Sequence, residues 1–161
     1  MKRFATLIET LDTTNKTNKK VEALAQYFRE APKADSLWAV ALLSHRRPSR
    51  PVTITLMRAW AAELAELPDW LFEESYHIVG DLAETIALLV HQEGTALTPS
   101  LKDCIEEIIA LKPKTEEEKK KYILNQWKSL AHFERFVFNK ILTGGFRIGV
   151  SQKLMTRALS K

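Results

Sequence analysis

Glycine, proline and cysteine are all scarce in this chain. Five glycines and six prolines in 161 residues leave too little turn chemistry for a fold of many short strands. The single cysteine, Cys104, has no partner for an internal disulfide and lacks the spaced ligands of a zinc site. No stretch approaches the roughly 18 consecutive apolar residues that a membrane span needs. The opening run MKRFATLIETLD is broken by Thr6, Glu9 and Asp12, unlike the apolar core of a signal peptide. The cytoplasm is therefore the expected compartment. Enzyme signatures are missing too: there is no HExxH, no GxxxxGK[ST] and no GxSxG. His45, His77, His91 and His132 lie far apart, beside apolar helical stretches, and the carboxylates read as solvated helix faces. No catalytic residue and no metal site is expected.

What is present is an ordinary globular composition with an uneven charge distribution. Hydrophobic residues make up 45% and charged residues 27%, which argues against disorder. Residues 1–60 hold 11 Lys/Arg against 5 Asp/Glu, 61–118 hold 3 against 14, and 119–161 hold 10 against 1. Two basic segments thus flank an acidic one. Such segregation suits a polyanion-facing surface with an acidic back, although chance clustering of solvated helix faces would look the same.

Helical periodicity dominates. Phe4, Leu7, Ile8 and Leu11 repeat at i, i+3, i+4 and i+7, as do Val21, Leu24, Ala25 and Phe28. A helix is expected over 36–44 with Asp35 as its N-cap. The segment HRRPSRPVT (45–53) then breaks the pattern with two prolines, and Thr53 caps the next helix to about Ala65. Pro68-Asp69 restarts a helix through Trp70, Leu71 and Ile78, which Gly80-Asp81 interrupts. Asp81 with Glu84 three residues on forms a capping-box-like start for LAETIALLV, and Thr115 with Glu118 forms another. After the loop QEGTAL, Thr98 and Pro99 open a helix that Pro113 ends. Glu134–Leu142, the turn TGGFRIG (143–149) and a helix capped by Ser151 complete an all-α single domain of nine or ten helices. Trp38, Trp60, Trp70 and Trp127 sit at helical positions and are expected in the core.

Three places could carry chemistry. In the loop 45–51, Arg46, Arg47 and Arg50 lie close together on a segment stiffened by prolines, offering forked donors that match phosphate oxygens. A solvated inter-helix connection is the competing account. In the segment 140–153, a helix ends in Gly144 and Gly145, and a second glycine turn precedes the Ser151 cap. Lys140, Arg147, Lys153 and Arg157 surround it. Glycines allow close backbone approach, and free N–H groups at a helix start favour an anion, here a nucleic-acid phosphate. Gly144 or Gly145 also serves as an ordinary C-cap. Gly80, Asp81 and Glu84 form the third place. Capping accounts for both acids, with Gly80 allowing close helix packing or a sharp break.

The stretches GDLAETIALL (80–89) and FVFNKILTGGFRIGVSQKLMTRALSK (136–161) resemble the N-terminal DNA-binding domain of ATP-dependent DNA ligases. The likeness lies in the Gly-Asp that opens an apolar helix and in the Arg-Ile-Gly turn followed by a helix. It extends over nearly the whole chain, and HRRPSRPVT and WLFEESYHIVGDLAET resemble the bacterial branch. The resemblance implies an all-helical module that grips duplex DNA at a nick through minor-groove backbone contacts, for sealing in repair, replication or recombination. It implies phosphate contact by Gly144, Gly145, Arg147, Gly149 and Ser151, in a segment that also offers Lys140, Thr143 and Lys153. Gly80-Asp81 is implied as the packing and capping element beside it. Phosphate contact by Arg46, Arg47 and Arg50 is assigned from charge as much as from likeness. Nucleotidyltransferase and OB-fold domains, with ATP and Mg2+, are expected in the same full-length, monomeric, nucleoid-associated enzyme. Lys-x-Asp-Gly, which those domains carry, is absent here, so the chain is expected to be a fragment without ligation chemistry.

Two other classes compete with that expectation. A free-standing regulator reading sequence with a helix-turn-helix would need base-edge donors on its last helix, where Gln152 and Arg157 are the candidates. A protein-interaction scaffold would use the acidic middle segment. Salt-sensitive, sequence-indifferent binding to duplex DNA separates the ligase module from both.

Overall fold

The computed structural model describes residues 1–94, 98–146 and 148–161. Among them are ten α-helices and no strand. In chain order these are α1 (Lys2–Thr13), α2 (Thr17–Glu30), α3 (Lys33–Leu43), α4 (Ile54–Leu64), α5 (Asp69–Val79), α6 (Leu82–Leu89), α7 (Leu101–Ala110), α8 (Glu116–Ser129), α9 (His132–Thr143) and α10 (Gln152–Leu159). Among the described residues no helix is long and apolar enough to cross a membrane.

The helix with the most buried residues is α9, with Val137, Phe138, Ile141 and Leu142 buried together with Glu134, Arg135 and Asn139. It lies between α6 and α1, and α1 in turn carries α2, on which α10 packs. On the other side α6 rests against α5 and α4, while α3 packs on α7. The first and last parts of the sequence therefore meet at one end of the molecule. The amphipathic stripe of α1 accounts for its place: Phe4, Leu7, Ile8 and Leu11 are all buried, as the 3.6-residue period requires of a helix with one core face.

An N-cap side chain closes five of the ten helix starts. Thr53, Asp81, Thr115 and Ser151 each accept the N–H three residues on, at 3.2, 2.9, 3.2 and 3.1 Å. Two starts differ from expectation. The seventh helix is capped by Ser100, not opened by Thr98-Pro99, with Ser100 Oγ accepting the Asp103 N–H at 3.0 Å. The third begins at Lys33, so Asp35 lies inside its first turn. The Asp35 carboxylate instead accepts the N–H groups of Leu101 and Lys102 at 3.3 and 3.0 Å. It caps α7 from 66 residues away in sequence, and its burial follows from that contact.

Two expectations about burial are also corrected. Trp60 and Trp127 are in the core and Trp38 is partly buried against it, but Trp70 is 68% exposed. The helix α5 buries Phe72 alone, and a residue two positions earlier lies about 200° round the helix, on the outer face. Nor are all carboxylates solvated: Asp35 and Glu134 are both buried. Glu134 accepts the Ala131 N–H at 3.2 Å and so closes the start of α9.

Candidate nucleic-acid interface

Two of the segments singled out by sequence, the arginine loop after α3 and the glycine turn after α9, are brought together. Arg47 Nη1 donates to the Leu142 carbonyl at 3.3 Å, and Arg50 Nε donates to the same oxygen at 3.0 Å. Arg50 Nη2 also donates to the Thr143 carbonyl. These are the last carbonyls of α9, which carry the negative end of its dipole, equivalent to roughly half an elementary charge. Uncovered, that end would repel an anion. Two guanidiniums reverse its sign. Burial, and then the charge of Arg50, lower the Arg47 pKa from its ordinary value. Arg46 is exposed, as Arg50 is, and its backbone N–H donates to the Ala41 carbonyl at 2.8 Å.

The turn itself is anchored at three points. Its Phe146 ring is buried and meets Phe4 of α1 edge-on, with centroids 5.6 Å apart. Thr143 Oγ1 donates to the Asn139 carbonyl at 2.9 Å, and the Gly145 N–H donates to the Lys140 carbonyl at 2.8 Å. The third anchor is Lys20 of α2, whose Nζ donates to the Ile148 carbonyl at 2.9 Å and lies 3.4 Å from that of Gly149. Sequence reasoning missed Phe146 and Lys20. Nothing local separates Lys20 from its neighbours Lys16 and Lys19.

Conformation distinguishes the glycines. Gly144 is extended (φ −172°), which any residue tolerates, whereas Gly145 and Gly149 have φ of 81° and 65°. The need for glycine at the end of α9 thus falls on Gly145. At Gly149 a Cβ would also meet Lys20 Nζ at 2.9 Å. Gly80 ends α5 in the left-handed region (φ 82°), and a Cβ there would meet nothing within 4 Å, so it makes a sharp break and not a close helix contact.

Lys140 stands apart from the anion seat. It pairs with Asp81, the N-cap of α6, and lies over the Phe136 ring at 5.6 Å. Burial raises the Asp81 carboxyl, but the Lys140 hydrogen bond, the Glu84 N–H and the Lys140 charge outweigh it and hold the pKa below the ordinary value. Glu84 contributes that backbone N–H. Asp81 and Lys140 thus tie the start of α6 to the end of α9.

Beyond the turn, Ser151 and Lys153 are exposed at the start of α10, and Arg157 reaches Asn18 of α2 at 3.5 Å. A hollow of about 650 Å³ separates this start from the end of α3, lined by Val40, Leu43, Arg46, Ser151 and Gln152 among others. A second hollow of about 470 Å³ shares Leu43, His45, Val150 and Ser151 with it and runs along Phe146, Ile148 and Gly149. Arg147 lies outside the described residues. Among those that are described, no group of three or more His, Cys, Asp or Glu could hold a metal ion.

The arrangement is a glycine turn with its carbonyls covered by cations, beside a helix start and exposed basic side chains. Chemically it suits a polyanion. A search among curated proteins finds no match. Residues 1–160 match the family described as DNA ligase N terminus. A match over nearly all of the 161 residues places the chain: it belongs to the DNA ligase N terminus family, for which DNA and the other domains of a ligase are the implied partners.

Proposed function

We propose that this chain is the duplex-gripping module of an ATP-dependent DNA ligase of the bacterial branch. It holds backbone phosphates around a nick, in repair, replication or recombination, while nucleotidyltransferase and OB-fold domains of the same enzyme seal the break. The observation that carries the reading is the docking of the Arg47 and Arg50 guanidiniums on the α9 carbonyls beside the glycine turn. That contact makes a helix end, ordinarily repulsive to phosphate, part of a basic surface. Arg46, Lys153 and Ser151 supply exposed donors, and Arg147, Gly144, Gly145 and Gly149 complete the phosphate contacts. Arg47, Arg50, Thr143 and Lys140 act behind them, through the contacts that shape the turn and its neighbours. ATP and Mg2+ belong to the other domains. The sequence here holds no Lys-x-Asp-Gly, so no step through either group is assigned to it.

Phosphate contacts position a protein without reading bases. Fluorescence anisotropy on nicked duplexes of two unrelated sequences should therefore give equal affinities. Arg147→Ala should weaken both about tenfold, the worth of one charge-assisted contact. Gly149→Val should do at least as much, because Val disfavours φ near 65°. Glu106→Ala, on the exposed face of α7, serves as the control and should change little. Preference for one sequence, or parental binding by both folded turn variants, would overturn the proposal.

A further inference from the structure

We propose that Lys20 is a positioning residue of the phosphate-binding turn, one that couples DNA grip to the packing of α10 on α2. The inference rests on the DNA reading above. Its half-buried ammonium meets the carbonyls of Ile148 and Gly149, 128 and 129 residues away in sequence. Among the described residues no carboxylate pairs with it.

The chemistry of anion binding explains why such a contact belongs here. A turn that offers its N–H groups to phosphate must direct its carbonyl oxygens elsewhere, since they repel the same anion. At the α9 end of the turn Arg47 and Arg50 take those oxygens. At the α10 end, two residues before the Ser151 cap, Lys20 takes them. An ammonium has three donors, so it can donate to two carbonyls and keep its charge. Gly149 fits the same account from the other side. Its φ of 65° disfavours other residues, and a Cβ there would press on the ammonium at 2.9 Å. Lys20 and Gly149 thus form one device assembled from opposite ends of the chain.

The test uses the 161-residue chain and a fluorescein-labelled nicked duplex. Lys20→Met should weaken binding about tenfold, the loss expected when one phosphate contact of the turn is misplaced. Its urea midpoint should fall only slightly, since water can replace the ammonium at part-exposed carbonyls, while the amide resonances of Gly149 and Val150 shift. A guanidinium can reach the same oxygens, so Lys20→Arg should recover affinity to within about threefold of the parent. Residues acting through one device are not additive. Combined with Gly149→Ala, Lys20→Met should therefore cost less than the product of the two single losses. Multiplying losses would show that Lys20 works independently of the turn and would overturn the inference. So would parental binding by Lys20→Met where the parent binds well, and that result would leave the DNA reading standing. A parent that binds no duplex would overturn both.

Discussion

Arg135 is 3% exposed and has no carboxylate partner among the described ion pairs, yet its guanidinium is well satisfied. Nε donates to the Trp127 carbonyl at 2.7 Å, Nη2 to Leu130 at 3.0 Å, and Nη1 to Ala87 at 2.9 Å and to Val90. Those oxygens belong to the ends of α6 and α8, so one planar fork closes two helix C-termini inside the core. Burial lowers its pKa, but the carbonyl set keeps a positive charge tolerable there. Replacing Arg135 by Leu removes its donors from the Trp127, Leu130 and Val90 oxygens and leaves Ala87 only the His132 ring at 3.2 Å, which should cost at least about 3 kcal/mol in urea unfolding. Lys should not rescue it, because a single ammonium cannot span the same four oxygens. A loss under about 1 kcal/mol for Arg135→Leu would contradict this role.

A second residue-scale consequence concerns acid. The Asp81 carboxyl is held below its ordinary pKa in the folded protein, so its pairing with Lys140 adds stability above the unfolded value, about pH 3.9. That contribution is lost as pH falls through the folded pKa, because the protonated acid no longer pairs. Asn keeps the N-cap of α6 but not the ion pair. Asp81→Asn should therefore cost about 0.5–1 kcal/mol at pH 7, as expected of a partly exposed pair. It should also show a shallower fall in urea midpoint between pH 5 and pH 3. An equally steep fall in the variant would mean that other carboxylates set the acid limb.

At the scale of elements, local signals were legible and long-range ones were not. Thr53, Asp81, Thr115 and Ser151 cap the helices their sequence contexts indicate, because a cap and its N–H lie three residues apart. Asp35 shows the limit. Its type marks it as a cap, but the helix it caps is α7, reached only after the chain has folded. Trp70 fails for a related reason: periodicity identifies an amphipathic helix without saying how many neighbours will cover it, and α5 packs through Phe72. The candidate site divides the same way. Both basic segments and the glycine turn were visible from composition. That Arg47, Arg50 and Lys140 have partners within the protein was not, because those partners are carbonyls and a carboxylate 59 or more residues away.

For the whole molecule, that distinction changes what salt should do. Each phosphate contact releases condensed counterions and contributes about −0.9 to the slope of log affinity against log salt on duplex DNA. If every cation marked in the two segments (Arg46, Arg47, Arg50, Lys140, Arg147, Lys153 and Arg157) met a phosphate, the slope would be about −6. Arg47, Arg50 and Lys140 instead hold the Leu142 and Thr143 carbonyls and Asp81. Counting Arg46, Arg147, Lys153 and Arg157 as contacts gives about −3 to −4. The acidic middle segment lies largely on other helices, and at physiological salt a screening length of about 8 Å limits its influence on the basic end. Anisotropy titrations of a nicked duplex from 50 to 200 mM NaCl measure the slope directly. A value near −4 fits a turn shaped by internal cation contacts that persist on DNA. A value near −6 would mean that the guanidiniums leave the α9 carbonyls for phosphate, and Arg47→Ala and Arg50→Ala would then each flatten it by about one contact.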